Sequence, residues 1–223
     1  MVSPPVLAKR IGDYVFRLME NDVALDANAH VALQRDNNRW FLSWASEHPW
    51  QASIINSDFA TISEYRALLE NRAFSAILYD GSALQISYIF EGNTVTKHRL
   101  CYYPCPLLIA PDEVQAESLL DFISNLSAEE VDRRLRLRSP IRFDFDPDSV
   151  ADDHPSSHMH ISFEECRIAV AGPLSAGRFF EFVLRNFYRD AWNSKNGIRD
   201  FRIDAHERVI SEADRVWAHV NWD

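Results

Sequence analysis

Hydrophobic residues recur every three or four positions in several stretches of the chain, and this spacing predicts helices with one buried side. The stretches with this spacing are residues 6–21, 61–72, 111–126 and 174–192. The last is the longest, and Phe179, Phe182 and Val183 fall on its apolar side. The sequence Ser127-Ala-Glu-Glu130 has the capping-box pattern and predicts one further short helix.

Between residues 75 and 103 the spacing changes to an alternation of apolar and other residues, which indicates β-strands. The turn sequences Asp80-Gly81 and Glu91-Gly-Asn93 divide this region into three segments. We therefore predict a three-stranded antiparallel meander. Similar but shorter patterns predict strands over residues 142–146, 158–160, 166–170, 198–203 and 216–222.

These elements together predict an α+β fold, in which an antiparallel sheet is packed with helices. The sheet is expected to contain the meander, an Arg-x-Asp strand and a His-x-His strand. Residues 22–38 are polar with scattered apolar positions, and we interpret them as connecting structure. Without internal repeats or flexible linkers, residues 1–223 are expected to form one domain, with a helical N-terminal part over 1–72 and a sheet-containing core over 73–223.

Composition indicates a folded protein, since 47% of the 223 residues are hydrophobic and 25% are charged. The net charge of −10 disfavours non-specific binding to nucleic acid. Three cysteines without a Cys-x-x-Cys pair are expected to be reduced thiols. The first residues lack a charged leader before an apolar stretch, and no apolar run approaches the roughly 20 residues that cross a bilayer. We therefore expect a cytoplasmic protein without a membrane partner.

The densest group of titratable side chains lies between residues 142 and 160. In an extended strand Arg142, Asp144 and Asp146 point to one face, and His158 and His160 share a face in the same way. The segment between them is rich in Pro, Asp and Ser, which favour turns. If the two strands pair antiparallel, all five side chains lie on one surface.

The first hypothesis for this surface is cleavage of a phosphodiester bond without a metal. Histidines near neutral pKa act as acid and base, and a guanidinium binds phosphate through its planar fork. His158 and His160 are the candidate acid and base, and Arg142 is the candidate phosphate ligand. Asp144 is expected to orient an imidazole, and Asp146 completes the candidate catalytic set.

The second hypothesis is a divalent metal ion held by His154, His158, His160 and Asp144, which would activate water for hydrolysis. Two further interpretations remain open at this point. In one of them, the charged groups are structural ion pairs and turn-capping residues. In the other, they form a ligand-binding pocket without chemistry.

Several motifs resemble a known bacterial family. They are Asp80-Gly-Ser82, Tyr103-Pro-Cys-Pro106, Arg142-x-Asp144, His154-Pro-x-Ser-His158, Cys166-Arg-Ile168 and Phe182-Val-Leu-Arg-Asn-Phe-Tyr188. In this order, over about residues 75–188, they resemble the family catalogued as domain of unknown function 2290, whose name implies no activity. More loosely, the meander followed by Arg-x-Asp and His-rich strands is similar to TumE-type toxins of toxin–antitoxin pairs. That similarity implies a toxin-like module that acts on RNA.

The leading expectation is a toxin-like or antiphage-defence nuclease that cleaves RNA and has a protein partner, either an antitoxin or a defence-complex subunit. The alternative is a non-enzymatic interaction or regulatory subunit of such a complex, which the aromatic patch from Trp40 to Trp44 and the acidic surface suit. An enzyme should hold Arg142, Asp144, His158 and His160 together in an open cleft. An interaction protein should bury or disperse them.

Overall fold

The computed structural model describes residues 2–36, 38–44, 61–110, 112–114, 118–151, 153–194 and 196–222. The helices are α1 (Pro4–Glu20), α2 (Ile62–Glu70), α3 (Leu119–Asn125), α4 (Ala128–Arg134), α5 (Ala176–Phe187) and α6 (Arg189–Ser194). The strands are β1 (Ala24–Ala27), β2 (Val31–Asp36), β3 (Arg39–Ser43), β4 (Ala76–Leu78), β5 (Ala83–Glu91), β6 (Thr94–Tyr103), β7 (Ile141–Phe145), β8 (Ser157–Ile161), β9 (Phe163–Val170) and β10 (His219–Val220).

All of these strands belong to one sheet, in the order β1-β4-β5-β6-β7-β8-β9-β10. Strand β3 also pairs with β5, and β2 pairs with β3. Neighbouring strands are antiparallel except β10, which runs parallel to β9. The predicted α+β class is confirmed, and so is the meander, which consists of β4, β5 and β6.

Alternate residues of the central strands face two different hydrophobic cores. Leu84, Ile86 and Leu100 belong to the larger core, which the apolar sides of α1 and α5 cover. Ala83 and Cys101 face the other side of the sheet, toward the smaller core beneath α2 and α3. Away from this smaller core, the same face of the sheet carries polar residues along β6, β7 and β8.

The helix ends follow the capping signals in the sequence. Helix α1 begins with two prolines, which fit the first turn because its N–H groups have no partner within the helix. The predicted capping box of α4 is present, since the Ser127 hydroxyl accepts the Glu130 backbone N–H and the Glu130 carboxylate accepts the Ser127 backbone N–H. Helix α2 has the same arrangement between Thr61 and Glu64.

The prediction that residues 22–38 are connecting structure is wrong, because β1 and β2 lie there. Together with β3 they also mean that residues 1–72 are not a purely helical part. Strand β2 pairs only with β3 among the described strands, and its side chains are half-buried or exposed. A strand of this kind tolerates polar residues on both faces, so it lacks the alternation that identifies buried strands.

The strand predicted over 198–203 is absent. A short 3-10 helix at Asn196–Ile198 is followed by chain without ladder pairing. In this segment Phe201 stacks on Phe180 of α5 and meets Tyr14 of α1 edge-on. The segment is therefore apolar because it packs against helices and not because it pairs in the sheet. The helix predicted over 111–126 is observed only as α3, while residues 111 and 115–117 lie outside the described part of the chain.

The aromatic patch from Trp40 to Trp44 is largely internal. It forms β3 and its end, with Leu42 and Trp44 buried and Trp40 packed against the larger core. It therefore contributes mainly to the interior of the molecule.

Candidate functional site

Four neighbouring strands place charged and imidazole side chains in one row across the sheet. Arg142 lies opposite His160 and Asp144 lies opposite His158 in the antiparallel β7–β8 pair. On one side of this pair Arg99 of β6 lies opposite Asp144, and on the other Arg167 of β9 lies opposite His160. The antiparallel pairing expected from the sequence thus brings these side chains to a common face.

Asp144 is at the centre of the charged groups. Its Oδ2 lies 2.9 Å from Arg142 Nε, and its Oδ1 lies 3.4 Å from Arg99 Nε. His160 Nε2 is 3.6 Å from the same Oδ2. One carboxylate therefore holds two guanidinium groups and stands next to an imidazole.

The two imidazoles of β8 are in direct contact, with 2.9 Å between His158 Nε2 and His160 Nε2. His158 Nδ1 lies 2.7 Å from the Pro155 carbonyl oxygen, which can only accept a hydrogen bond. The proton of neutral His158 is therefore on Nδ1, and its Nε2 accepts from His160. The ring of His154 meets that of His158 edge-on, with 4.6 Å between centroids.

Asp146 lies at the edge of this row and has a different set of contacts. Its carboxylate pairs with Lys97 Nζ at 2.8 Å. It also accepts the backbone N–H of Asp148 and the hydroxyl of Ser149, each at 3.1 Å, and so caps the 3-10 turn Pro147–Ser149. With these contacts, Asp146 shapes the turn beside the site.

The central residues line a small cavity of about 120 Å³ although they are largely buried. Arg142, Asp144, His158 and His160 are each no more than 8% exposed. Ser149 in the cavity wall is exposed, and Arg99, Asp146, His154 and Arg167 are half-buried. The four central side chains therefore lie together, as the enzyme hypothesis requires, but they are buried, as the interaction hypothesis requires.

The surroundings fix the charge of two central groups. Burial alone would raise the pKa of Asp144, but the adjacent His160 and the charges of Arg142 and Arg99 outweigh it and hold the pKa well below its usual range. Burial, with a smaller contribution from neighbouring His160, lowers the pKa of His158 to about 4. At neutral pH Asp144 is an anion and His158 is neutral.

The arrangement offers both anion-binding and metal-binding groups. Ligand atoms of Asp144, His158 and His160 lie within 4.8 Å of one another, which makes them a possible metal-binding group among the described residues. His154, the fourth metal ligand predicted from the sequence, stands outside this group.

Three cationic residues of the site were not predicted from the sequence, namely Lys97, Arg99 and Arg167. The alternation in β6 puts Lys97 and Arg99 on one face, but only the pairing of β6 with β7 brings that face to Asp144.

Within the described residues no helix combines the length and the apolar character that crossing a bilayer requires. No curated protein and no solved structure matches the chain, so the looser similarity to TumE-type toxins has no support in these comparisons. A family model described as "Uncharacterized conserved protein (DUF2290)" matches residues 23–222, and it covers every residue of the candidate site. The chain belongs to this DUF2290 family.

Proposed function

We propose that this protein is a nuclease that cleaves phosphodiester bonds in RNA at the cavity beside β7 and β8. The observation that supports this most is the concentration of Arg99, Arg142 and Arg167 around two imidazoles in a protein with a net charge of −10. Guanidinium groups bind phosphate oxygens through paired N–H donors, and an acidic protein that gathers them in one cavity favours an anionic ligand there.

The proposed biological setting is a bacterial toxin–antitoxin or antiphage-defence system. In this setting the protein acts in the cytoplasm and binds a protein partner, either an antitoxin or another defence subunit. This part of the proposal rests on the resemblance of the strand pattern to TumE-type toxins.

The contact between the imidazoles changes the roles that we expect for them. Cleavage needs a base at the attacking oxygen and an acid at the leaving oxygen, and these oxygens lie on opposite sides of the phosphorus. Two Nε2 atoms 2.9 Å apart share one proton, so His158 and His160 act as one base and not as a separate acid and base. For His158 to accept the proton of the attacking hydroxyl, its Nε2 has to release the N–H of His160, and water supplies the proton for the leaving oxygen.

The second candidate function is a non-enzymatic interaction subunit. The burial of Arg142, Asp144, His158 and His160 favours it, because a buried Arg–Asp–His network also serves to hold neighbouring strands in register. In this case the charged cluster is structural, and binding takes place elsewhere on the surface.

Expression of the chain alone in bacteria tests the proposal. We expect the wild-type chain to arrest growth and His158→Gln to relieve the arrest at equal soluble expression, because the variant lacks the neutral imidazole. The matched control is His219→Gln, since His219 is exposed on β10 and lies outside the cavity, and this variant should still arrest growth. Arrest that persists in His158→Gln would show that the site is assigned wrongly. Growth unaffected by the wild-type chain would favour the interaction subunit.

A further inference from the structure

Three side chains at the centre of the cluster have the composition of a metal-binding site. Asp144 provides a carboxylate, and His158 and His160 provide imidazole nitrogens, all within 4.8 Å of one another. Two imidazoles and one carboxylate form a ligand set used by zinc hydrolases and by non-haem iron proteins. We propose that Asp144, His158 and His160 together bind one divalent first-row transition-metal ion.

The orientation of His158 matches that of a metal ligand. Its Nδ1–H donates to the Pro155 carbonyl, which directs the lone pair of Nε2 toward His160 and Asp144. Metal-ligating histidines usually have this arrangement, in which the second ring N–H is held by a carbonyl or carboxylate. The short segment from Pro155 to His158 therefore fixes both the tautomer and the direction of the ring.

The distances allow an ion with a small adjustment. For zinc–nitrogen bonds of about 2.0–2.1 Å, tetrahedral geometry places two nitrogens roughly 3.4 Å apart. The observed Nε2–Nε2 distance is 2.9 Å, so the rings have to separate by roughly 0.5 Å. The proton that His160 Nε2 donates to His158 also has to move to His160 Nδ1, which has no hydrogen-bond partner among the described residues. Three protein ligands leave one position open, and the adjoining cavity of about 120 Å³ has room for a water molecule or a substrate oxygen there.

The arginines make the affinity of this site dependent on anions. Arg142 and Arg99 already contact Asp144, at 2.9 and 3.4 Å, and a cation has to share that carboxylate with them. An anion bound in the cavity offsets the positive charge of both the ion and the guanidinium groups. Because such coupling is reciprocal, a phosphate diester should strengthen metal binding by the same factor by which the metal strengthens diester binding.

Calorimetric titration of the chelator-treated, dialysed full chain with Zn²⁺ tests the proposal. We expect one saturable site in the wild-type protein, with affinity at least about 10-fold lower in Asp144→Asn and His160→Gln. His219→Gln is the matched control, since His219 is exposed on β10 and lies outside the cavity, and its affinity should stay within about twofold of wild type. Addition of dimethyl phosphate should raise the wild-type affinity.

Absence of saturable binding, or unchanged affinity in folded His160→Gln, would overturn the proposal. X-ray absorption of the zinc-loaded wild-type protein gives a second readout that does not depend on a variant folding. It should show nitrogen and oxygen ligands that include two imidazoles. A sulfur ligand would also overturn the proposal, since it would place the ion at one of the free cysteines, Cys101, Cys105 or Cys166.

A nitrogen that binds the ion cannot also accept a proton, so the metal-bound form excludes the base role proposed above for His158 and His160. Metal binding and RNA cleavage by the imidazole pair can therefore fail separately. A protein that binds Zn²⁺ at these ligands but leaves RNA intact retains the metal site and loses the proposed nuclease function. A protein that cleaves RNA fully in chelator and does not bind Zn²⁺ retains the nuclease function and loses the metal site.

Discussion

The buried histidine of β6 should make folding stability fall as the pH drops below neutral. His98 is 2% exposed and lies between the rings of Tyr88 and Phe145, with centroid distances of 5.6 and 5.9 Å. Its Nε2 accepts the backbone N–H of Leu174 at 2.8 Å, which requires that nitrogen to be unprotonated. Burial, only partly offset by the charge of Asp144, lowers the pKa of His98 to about 3.

The direction and size of the effect follow from this pKa. In the unfolded chain a histidine has a pKa near 6.5, so below that pH the unfolded state binds a proton that the folded state does not. The stabilisation is complete above about pH 6.5 and is lost progressively as the pH falls toward 3. A pH of about 5 lies about 1.5 units below the pKa of histidine in the unfolded chain. At about 1.4 kcal/mol per unit, the free energy of unfolding should be lower there by roughly 2 kcal/mol.

The variant His98→Gln isolates this contribution, because Gln retains an acceptor for the Leu174 N–H but does not titrate. Urea unfolding gives the free energy of unfolding at about pH 7.5 and at about pH 5. The decrease between these two pH values should be smaller by about 2 kcal/mol in the variant than in the wild type. His30 and His158, whose pKa values burial lowers to about 4, are present in both proteins, so their effects cancel. Exposed His219→Gln is the control and should follow the wild type. Equal pH dependence in the wild type and His98→Gln would refute the reasoning.

The remaining predictions concern local packing and capping, and urea unfolding checks each of them. Gly177→Ala should destabilise the protein by about 1–3 kcal/mol, because the new Cβ would lie 2.1 Å from the Arg202 carbonyl oxygen. Gly12→Ala is the matched helical control and should stabilise by about 0.5–1 kcal/mol, since nothing lies within 4 Å of its Cβ position; equal effects of the two changes would contradict the packing of α5. Ser127→Ala should cost about 1 kcal/mol through loss of the α4 capping box, and an unchanged stability would count against that cap.

The elements that the sequence predicts best are those with a strong internal period. Helices α1 and α5 each bury one side, and that side is visible as a repeat in the sequence. The strands of the meander alternate between two cores and are separated by recognisable turn sequences. The same argument places Asp144 and His160 correctly, because alternation along a strand and one antiparallel pairing determine their common face. Short-range patterns are sufficient in these cases.

Features that depend on contacts between distant residues are not predictable in this way. Arg99 and Arg167 reach the site only through the registers of β6 with β7 and of β8 with β9, which no local pattern specifies. The contact between the two imidazoles depends on the Pro155 carbonyl, and the burial of the cluster depends on the surrounding strands and turns. The sequence therefore indicates the candidate residues but not how their roles are divided.

The most direct test of the central claim is the rate at which the purified chain cleaves single-stranded RNA, compared with that of His158→Gln in the same assay. We predict cleavage by the wild-type protein and a decrease of at least about 100-fold in the variant, since proton transfer by a positioned imidazole contributes about that much. His219→Gln should cleave at the wild-type rate. Equal rates for the wild type and His158→Gln, or intact RNA in every reaction, would contradict a nuclease site at the β7–β8 cavity.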